Sequence, residues 1–231
     1  MTWFSAVGLV TSIALLLPIV SILTLRLAPY KSFPALLIYL LLVSAHIFLS
    51  IDFVNANKEV VHYLGVFNNF MDAPLMLTFM TYFSRTAKFR KRMKAVIVVL
   101  LLAELVIIAI YGFNVNAAVI AMAPGLSMVL VFSLLFFIHQ VKIAVVYQKA
   151  AGKAFMTAAL LFAYGGYAFI YVVYYLVKTP YRADIQLMYY LVTTFSSLLV
   201  ATGVLIERRR VRQLTELKIT REELKVIYGR V

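Results

Sequence analysis

Residues 93–113 read MKAVIVVLLLAELVIIAIYGF, and this stretch decides the class of fold. At the rise of an α-helix it is about 30 Å long, which matches the hydrocarbon core of a bilayer. Its charged residues are Lys94, near one end, and Glu104, near the middle. Helices in the cores of soluble domains are rarely apolar over such a length. The stretch therefore predicts a transmembrane helix.

The composition of the whole chain agrees with that prediction. The 231 residues are 64% hydrophobic and 13% charged, and the mean hydropathy is +0.96. A soluble domain of this size needs a polar surface that so few charged residues cannot provide. The chain has no cysteine, which excludes disulfides, a thiolate nucleophile and thiolate metal sites. We predict an all-α membrane protein.

Short polar breaks divide the chain into seven long apolar runs. We predict transmembrane helices at 3–26, 34–54, 61–84, 93–113, 117–140, 153–178 and 183–207. No basic region precedes the first run, so we interpret it as a retained helix and not as a signal peptide. Residues 1–207 then form a seven-helix transmembrane domain. Residues 208–231 form a short basic tail, interpreted as an amphipathic helix on the cytoplasmic leaflet, with the stub of a signalling coiled coil as the alternative.

The lysines and arginines predict the orientation of the bundle. Of these 22 residues, 19 lie in the tail or in the breaks that share its side, and the others are Lys58, Lys178 and Arg182. Basic residues concentrate in cytoplasmic loops. We therefore expect the N-terminus outside and the C-terminus in the cytoplasm, in a multi-pass protein of the plasma or inner membrane. The net charge of +13 is then a topology signal that also attracts anionic lipid, and no nucleic-acid partner is predicted.

Several polar side chains fall near the predicted bilayer centre. His46 in the second helix and Asp72 in the third are expected at matching depths, because the two helices run in opposite directions. Asn68 lies one turn from Asp72 on the same face, Asn69 follows it, and Glu104 is central in the fourth helix. Ionisable residues at this depth are costly and often functional, but a buried carboxyl can also simply hydrogen-bond a neighbouring helix. Both interpretations stay open.

The sixth helix carries a face of tyrosines. Tyr164, Tyr167 and Tyr171 are spaced by three and four residues, so they lie on one side of the helix, beside two glycines. Phenol groups need hydrogen-bond partners in hydrocarbon, and this face is therefore expected to point into the bundle. An aromatic pocket for a cofactor or lipid and ordinary helix packing both fit the pattern. On the seventh helix, Thr194 and Ser197 are candidates for the same pocket.

Two of these segments resemble the microbial (type 1) rhodopsin superfamily. Residues 72–77, DAPLML, are similar to the threonine-threonine-proline-leucine stretch of that family's third helix. Tyr164, Tyr167, Ala168 and Tyr171 keep the spacing of the residues that line retinal in its sixth helix. The chain length, the seven spans, the outward N-terminus and the arginine-rich exit from the last helix also agree.

The resemblance fails where that family binds retinal covalently. Leu199 stands at the position of the family's retinal lysine, and Phe195 stands at the position of the aspartate one turn earlier. Asn68 occupies the position of the usual proton acceptor, and Gly65 that of an arginine. Because no lysine lies at mid-bilayer depth, the resemblance implies a branch that lacks the retinal-binding lysine. A light-driven pump is excluded.

These features favour a non-enzymatic heptahelical protein that acts as a sensor, as a ligand or lipid binder, or as a modulator of membrane partners. Its pocket is expected between the second, third, sixth and seventh helices. One alternative is an intramembrane enzyme for a lipid-like substrate, with His46 as base beside Asp72 or Glu104. Another is a proton-coupled transporter that uses Asp72 and Glu104.

The expected ligands and partners follow from the same residues. No covalent cofactor is predicted, and the sequence leaves open whether a polyene or a lipid binds non-covalently. His46, His62 and His139 are expected at three different depths, so no metal site is predicted. Candidate partners are membrane lipids, a second copy of the chain and another membrane protein.

Overall fold

The computed structural model describes residues 3–50, 57–84, 86–147, 150–177 and 182–227. In these ranges the chain is helical and contains no strand. The long helices are α1 (Trp3–Thr24), α2 (Phe33–Ser50), α3 (Lys58–Met80), α4 (Ala87–Tyr111), α5 (Val115–Tyr147), α6 (Ala151–Tyr171) and α7 (Arg182–Ile227). A 3₁₀ turn over Thr81–Phe83 follows α3, and a π-helical turn over Val172–Leu176 follows α6.

Two helices are longer than the sequence suggested. α5 continues to Tyr147, beyond the end expected at residue 140. α7 continues to Ile227, so the helix boundary expected at residue 207 is not present. Residues 208–227 are rich in arginine, leucine, glutamate and lysine, which are good helix formers, and no glycine or proline interrupts them. The expected ends of α2 at residues 51–54 lie outside the described residues.

The helices form a ring in which sequence neighbours are spatial neighbours. α1 packs on α2, α2 on α3, α5 on α6 and α6 on α7, and α7 closes the ring against α1. α3 also contacts α5 directly, which leaves α4 on the outside of the pair. The interior of the ring is therefore bounded mainly by α2, α3, α5, α6 and α7.

Among the described residues, six helical segments are long and apolar enough to cross a membrane. They are Ala6–Thr24, Phe33–Ser50, Ala87–Tyr111, Val115–Val146, Ala151–Leu176 and Ala183–Gln213. α4 shows why they suit lipid: its buried residues form one stripe, while leucines, isoleucines and valines cover its other faces. Apolar side chains exposed over such an area are stable in hydrocarbon and not in water. The chain is therefore a multi-pass integral membrane protein built as a helical bundle.

α3 is the long helix that does not meet the composition of a span. It carries Asn68, Asn69 and Asp72, which lower its hydropathy. α2, α4 and α5 all pack against it. This position shields its polar residues from the outer surface of the bundle, where an unpaired polar group in lipid would be costly.

The packing of α2 against α3 sets the depth of every candidate site residue on them. Paired across this interface are Ser32 with Phe79, Tyr39 with Asp72, Leu42 with Asn68, and His46 with Gly65. Each step along α2 is matched, to within one residue, by a step back along α3, as expected for two antiparallel helices. Asp72 is therefore level with Tyr39.

α6 and α7 are in backbone contact at two glycines. A Cβ placed on Gly152 would lie 2.6 Å from the backbone nitrogen of Glu207 and 2.7 Å from the carbonyl oxygen of Gly203. Any larger side chain would push the helices apart, which is the usual reason for small residues at such crossings. Gly165, by contrast, has open space where its Cβ would be.

Candidate functional site

A cavity of about 590 Å³ lies between α2, α3, α5, α6 and α7. Its deep end is bounded by Tyr39, Asp72 and Leu126, and its rim includes the exposed side chains of His62 and Gln186. Cavities that hold small molecules commonly have a volume of about 300–1,000 Å³ and apolar walls with a few polar groups. This cavity meets both conditions, because valines, isoleucines, Met122 and tyrosine rings form most of its wall.

Asp72 is the acidic side chain at the deep end of the cavity. The Tyr164 hydroxyl donates a hydrogen bond of 2.6 Å to Asp72 Oδ1, and the Tyr164 side chain is only 1% exposed. The Tyr39 phenol lies beside the same carboxylate and beside Tyr167. Tyr167 in turn shares a hydrogen bond of 2.9 Å with Thr193 on α7. Asp72 therefore joins α3 to α2, α6 and α7 through phenol groups.

Asn68 lines the cavity one turn from Asp72 and is only half satisfied. Its Nδ2 donates to the Leu42 carbonyl over 3.1 Å, which ties α3 to α2. Its Oδ1 is buried and has no hydrogen-bond partner among the described residues. A buried acceptor without a donor costs about 1–3 kcal/mol, so it is a site where a bound molecule can contribute a hydrogen bond.

The structure corrects the predicted depth of His46. His46 lines the cavity, but it is level with Gly65 and not with Asp72. A Cβ placed on Gly65 would lie only 2.8 Å from His46 Nε2. Asp72 is seven residues further along α3, which corresponds to about 10 Å. Within the described ranges no hydrogen bond joins His46 to Asp72. The prediction of equal depth is wrong because α3 begins at Lys58, nearer the rim than the expected residue 61, and pairs with α2 in a shifted register.

The remaining candidates of the sequence analysis divide into two groups. Asn69, Tyr167 and Tyr171 line the cavity, and the Tyr171 hydroxyl donates to the Val119 carbonyl of α5 over 3.2 Å. Thr194 does not line it, because this side chain points to α1, where its Oγ1 lies 3.0 Å from that of Thr11.

Ser197 and Glu104 also lie away from the large cavity. The Ser197 hydroxyl donates to the Thr193 carbonyl over 2.7 Å and lines a separate void of about 30 Å³. Glu104 is 4% exposed on the inner stripe of α4, near enough to Asp72 for the two carboxyls to interact electrostatically. Of the two acidic residues, only Asp72 lines the cavity.

Several residues of the cavity wall were not predicted from the sequence. Tyr39 and Tyr189 contribute phenol groups at the deep end, and α5 contributes Met122 and Leu126. Tyr39 could have been found, since it lies seven residues before His46 and therefore on the same face of α2. The contribution of α5 could not be predicted from the sequence, because the α5 residues in the cavity wall are ordinary apolar side chains.

The geometry defines what the cavity can do chemically. It offers an acceptor at Asn68 Oδ1, a carboxyl at Asp72 and an imidazole at His46, with apolar walls between them. His46 and Asp72 are too far apart to act as an acid–base pair on one bond, since such groups must be within about 3 Å of the same proton. In the part of the chain that the structure describes, no three His, Asp or Glu side chains converge as metal ligands would.

No protein-family model, characterised protein or solved structure matches the chain.

Proposed function

We propose that the protein is a non-enzymatic seven-helix receptor-like bundle that binds a small molecule in the cavity between α2, α3, α5, α6 and α7. The ligand has an apolar body and an end that donates a hydrogen bond, such as a hydroxyl or an amine. Binding makes the protein a sensor or a modulator of membrane partners. The observation that carries the proposal is the unpaired acceptor Asn68 Oδ1, one turn from Asp72, in a cavity of about 590 Å³.

The distribution of polar groups in the cavity indicates the chemistry of the ligand. Asn68 Oδ1 and the Asp72 carboxyl are acceptors one turn apart on α3, so a donor placed between them meets both. Tyrosine rings and branched aliphatic side chains surround the rest of the space. An entirely apolar ligand would leave Asn68 Oδ1 unpaired, and an anionic end would meet the carboxyl of Asp72.

The proposal includes α3 as a seventh span, with the N-terminus outside and the C-terminus in the cytoplasm. Lys31 precedes α2, Tyr82 follows α3, Lys153 begins α6 and Arg210 lies late in α7, and these residues meet at one end of the bundle. Alternating crossings that include α3 bring these four chain positions to the same side. Their basic side chains favour the cytoplasmic side.

A relationship to the lysine-less rhodopsin-like branch remains part of the proposal. Tyr164, Tyr167 and Tyr171 lie near Asp72 or along the cavity wall, which suits a pocket at the position where that family holds its chromophore. Leu199 provides no amine, so any polyene in this protein is held without a covalent bond.

The experiment is native mass spectrometry and absorption spectroscopy of protein purified gently in a neutral detergent. We expect wild-type protein to retain a small molecule that Asn68→Leu releases, because leucine has a similar volume and no acceptor. Thr194→Val is the matched control, since it also removes one polar group at mid-span but lies on the α1 side. Equal retention by wild type and Asn68→Leu, or equal loss from Thr194→Val, would contradict the proposed site. A visible or near-ultraviolet absorption band that Asn68→Leu abolishes would show that the retained molecule is conjugated, and its mass would then distinguish a polyene from other chromophores.

A further inference from the structure

A second group of charged residues lies at the opposite end of the bundle from the rim of the cavity. At its centre is Tyr82, in the 3₁₀ turn after α3, whose side chain is 5% exposed. The Nζ of Lys153 lies 4.3 Å from the centre of the Tyr82 ring, and the Nζ of Lys31 lies 5.5 Å from it. Tyr82, Lys31, Lys153, Glu207 and Arg210 are called the Tyr82 cluster below.

One carboxylate, that of Glu207, is present in this cluster: its Oε1 has partners, whereas its Oε2 is buried with no hydrogen-bond partner among the described residues. The Tyr82 hydroxyl donates to Glu207 Oε1 over 2.6 Å, and Arg210 NH1 lies 3.6 Å from the same oxygen. Glu207 is 2% exposed and held in place by the backbone contact of α7 with Gly152. Neither Lys31 nor Lys153 forms an ion pair with a carboxylate in the described ranges.

The cluster therefore has an excess of positive charge in a sheltered place. Lys153 is partly buried and within electrostatic range of Glu207 and of three cations, Arg210, Lys31 and Arg90. Arg210 NH1 is buried and, among the described residues, has the ion pair with Glu207 but no hydrogen-bond partner. Several cations drawn from four separate chain segments repel one another unless an anion lies among them. A buried guanidinium donor and two ammonium groups are also the groups that recognise phosphate.

We propose that the Tyr82 cluster binds a phosphate group, with Lys31, Lys153 and Arg210 as its ligands. Glu207 is a positioning residue, because it orients Arg210 and the Tyr82 ring on which the two lysines lie. The phosphate of a membrane lipid and free phosphate share this chemistry. We favour the lipid phosphate, because Lys153 and Arg210 lie in segments that are apolar enough to cross the bilayer and are therefore near lipid headgroups.

The test uses the full chain in a neutral detergent and measures binding by native mass spectrometry. The probes are dioleoyl phosphatidic acid, dioleoyl phosphatidylcholine and sodium phosphate. The variant Lys31→Gln/Lys153→Gln removes two cations of the cluster. Lys91→Gln/Lys94→Gln is the matched control, since it removes two exposed cations of α4 on the same side. The single variant Lys31→Gln, at an exposed side chain in a turn, serves as a second test if the double variant does not fold.

We expect phosphatidic acid to bind wild type more tightly than phosphatidylcholine does. Its affinity should fall about fivefold in Lys31→Gln and about twentyfold in the cluster double variant, while the α4 control keeps the wild-type value. Displacement of the lipid by millimolar sodium phosphate would identify free phosphate as the source, and persistence of the lipid would identify the headgroup. Equal weakening in both double variants would overturn the proposal, and so would equal affinity for phosphatidylcholine.

Discussion

The hydrogen bond between Tyr164 and Asp72 allows a quantitative test of the candidate site. Tyr164→Phe removes one hydroxyl and keeps the ring in its packing, and Asp72→Leu removes the acceptor. The bond is 2.6 Å long and the Tyr164 side chain is 1% exposed, so bulk water does not reach the Tyr164 hydroxyl. We expect each single variant to lower the free energy of unfolding by about 1–2 kcal/mol.

The two losses should not add. Once Asp72 is leucine, the Tyr164 hydroxyl has no acceptor in the carboxyl, so Tyr164→Phe then removes an unsatisfied group and costs little. The double variant should therefore lose about 1–2 kcal/mol less than the sum of the single losses. Asp72→Asn keeps an acceptor oxygen and should lose less than Asp72→Leu. Unfolding by SDS titration in mixed micelles, followed by circular dichroism, measures the free energy of unfolding of wild type and of each variant.

His46 supplies the comparison for this cycle. His46 is about 10 Å along the helix axis from Asp72. The losses of His46→Leu and Asp72→Leu should therefore add to within about 0.5 kcal/mol. If the Asp72–Tyr164 cycle were additive, or if the Asp72–His46 cycle showed the larger coupling, the arrangement described for the deep end of the cavity would be refuted.

Three further predictions test other parts of the molecule. Gly152→Ala should destabilise the protein by about 1–3 kcal/mol in the same titration, because a Cβ there meets backbone atoms of α7, whereas Gly165→Ala should be neutral or slightly stabilising. Equal effects of the two alanines would contradict the close contact of α6 with α7. A reporter that is active only in the cytoplasm should work when fused after Val231 and fail when fused before Met1, and activity at both ends would mean an even number of spans. All-trans retinal added to the purified protein should form no borohydride-reducible bond, and a reduced adduct mapped to a transmembrane residue would contradict the absence of a suitably placed lysine.

The helices could be predicted from the sequence because each one follows from a local property. An apolar run of sufficient length must satisfy its backbone hydrogen bonds internally, and a helix does so. The tyrosines of α6 could be assigned to the interior for a related reason, because phenol groups in hydrocarbon require partners. In the structure, Tyr164 hydrogen-bonds to Asp72, and Tyr167 hydrogen-bonds to Thr193.

The depth of His46 could not be predicted in the same way, because it depends on two helices at once. The register of α2 against α3 is set by contacts such as Asn68 with Leu42, and no periodicity within one helix contains that information. Thr194 shows that the direction of a single side chain is also difficult to predict from the sequence. It is one residue from Thr193, which is a rotation of about 100° on a helix, and this rotation turns it from α6 to α1.

The Tyr82 cluster could not be predicted from the sequence for a third reason. Tyr82 lies near the end of the expected third helix and Glu207 at the end of the expected seventh, and neither segment alone indicates that the two residues meet. Their hydrogen bond joins positions 125 residues apart in the chain. Because α7 continues as a helix through Glu207, the Glu207 carboxylate points back into the bundle. If the helix ended at Glu207, the side chain would not be fixed in this direction.

The glycine contact between α6 and α7 has a mechanical consequence. With backbone against backbone at Gly152 and Gly203, these two helices cannot slide or tilt separately without a clash. They also share the Tyr167–Thr193 hydrogen bond beside the cavity, so they behave as one rigid body along their common length. We therefore expect a molecule that displaces Tyr167 to shift both helices together, against their contacts with α1 and α5.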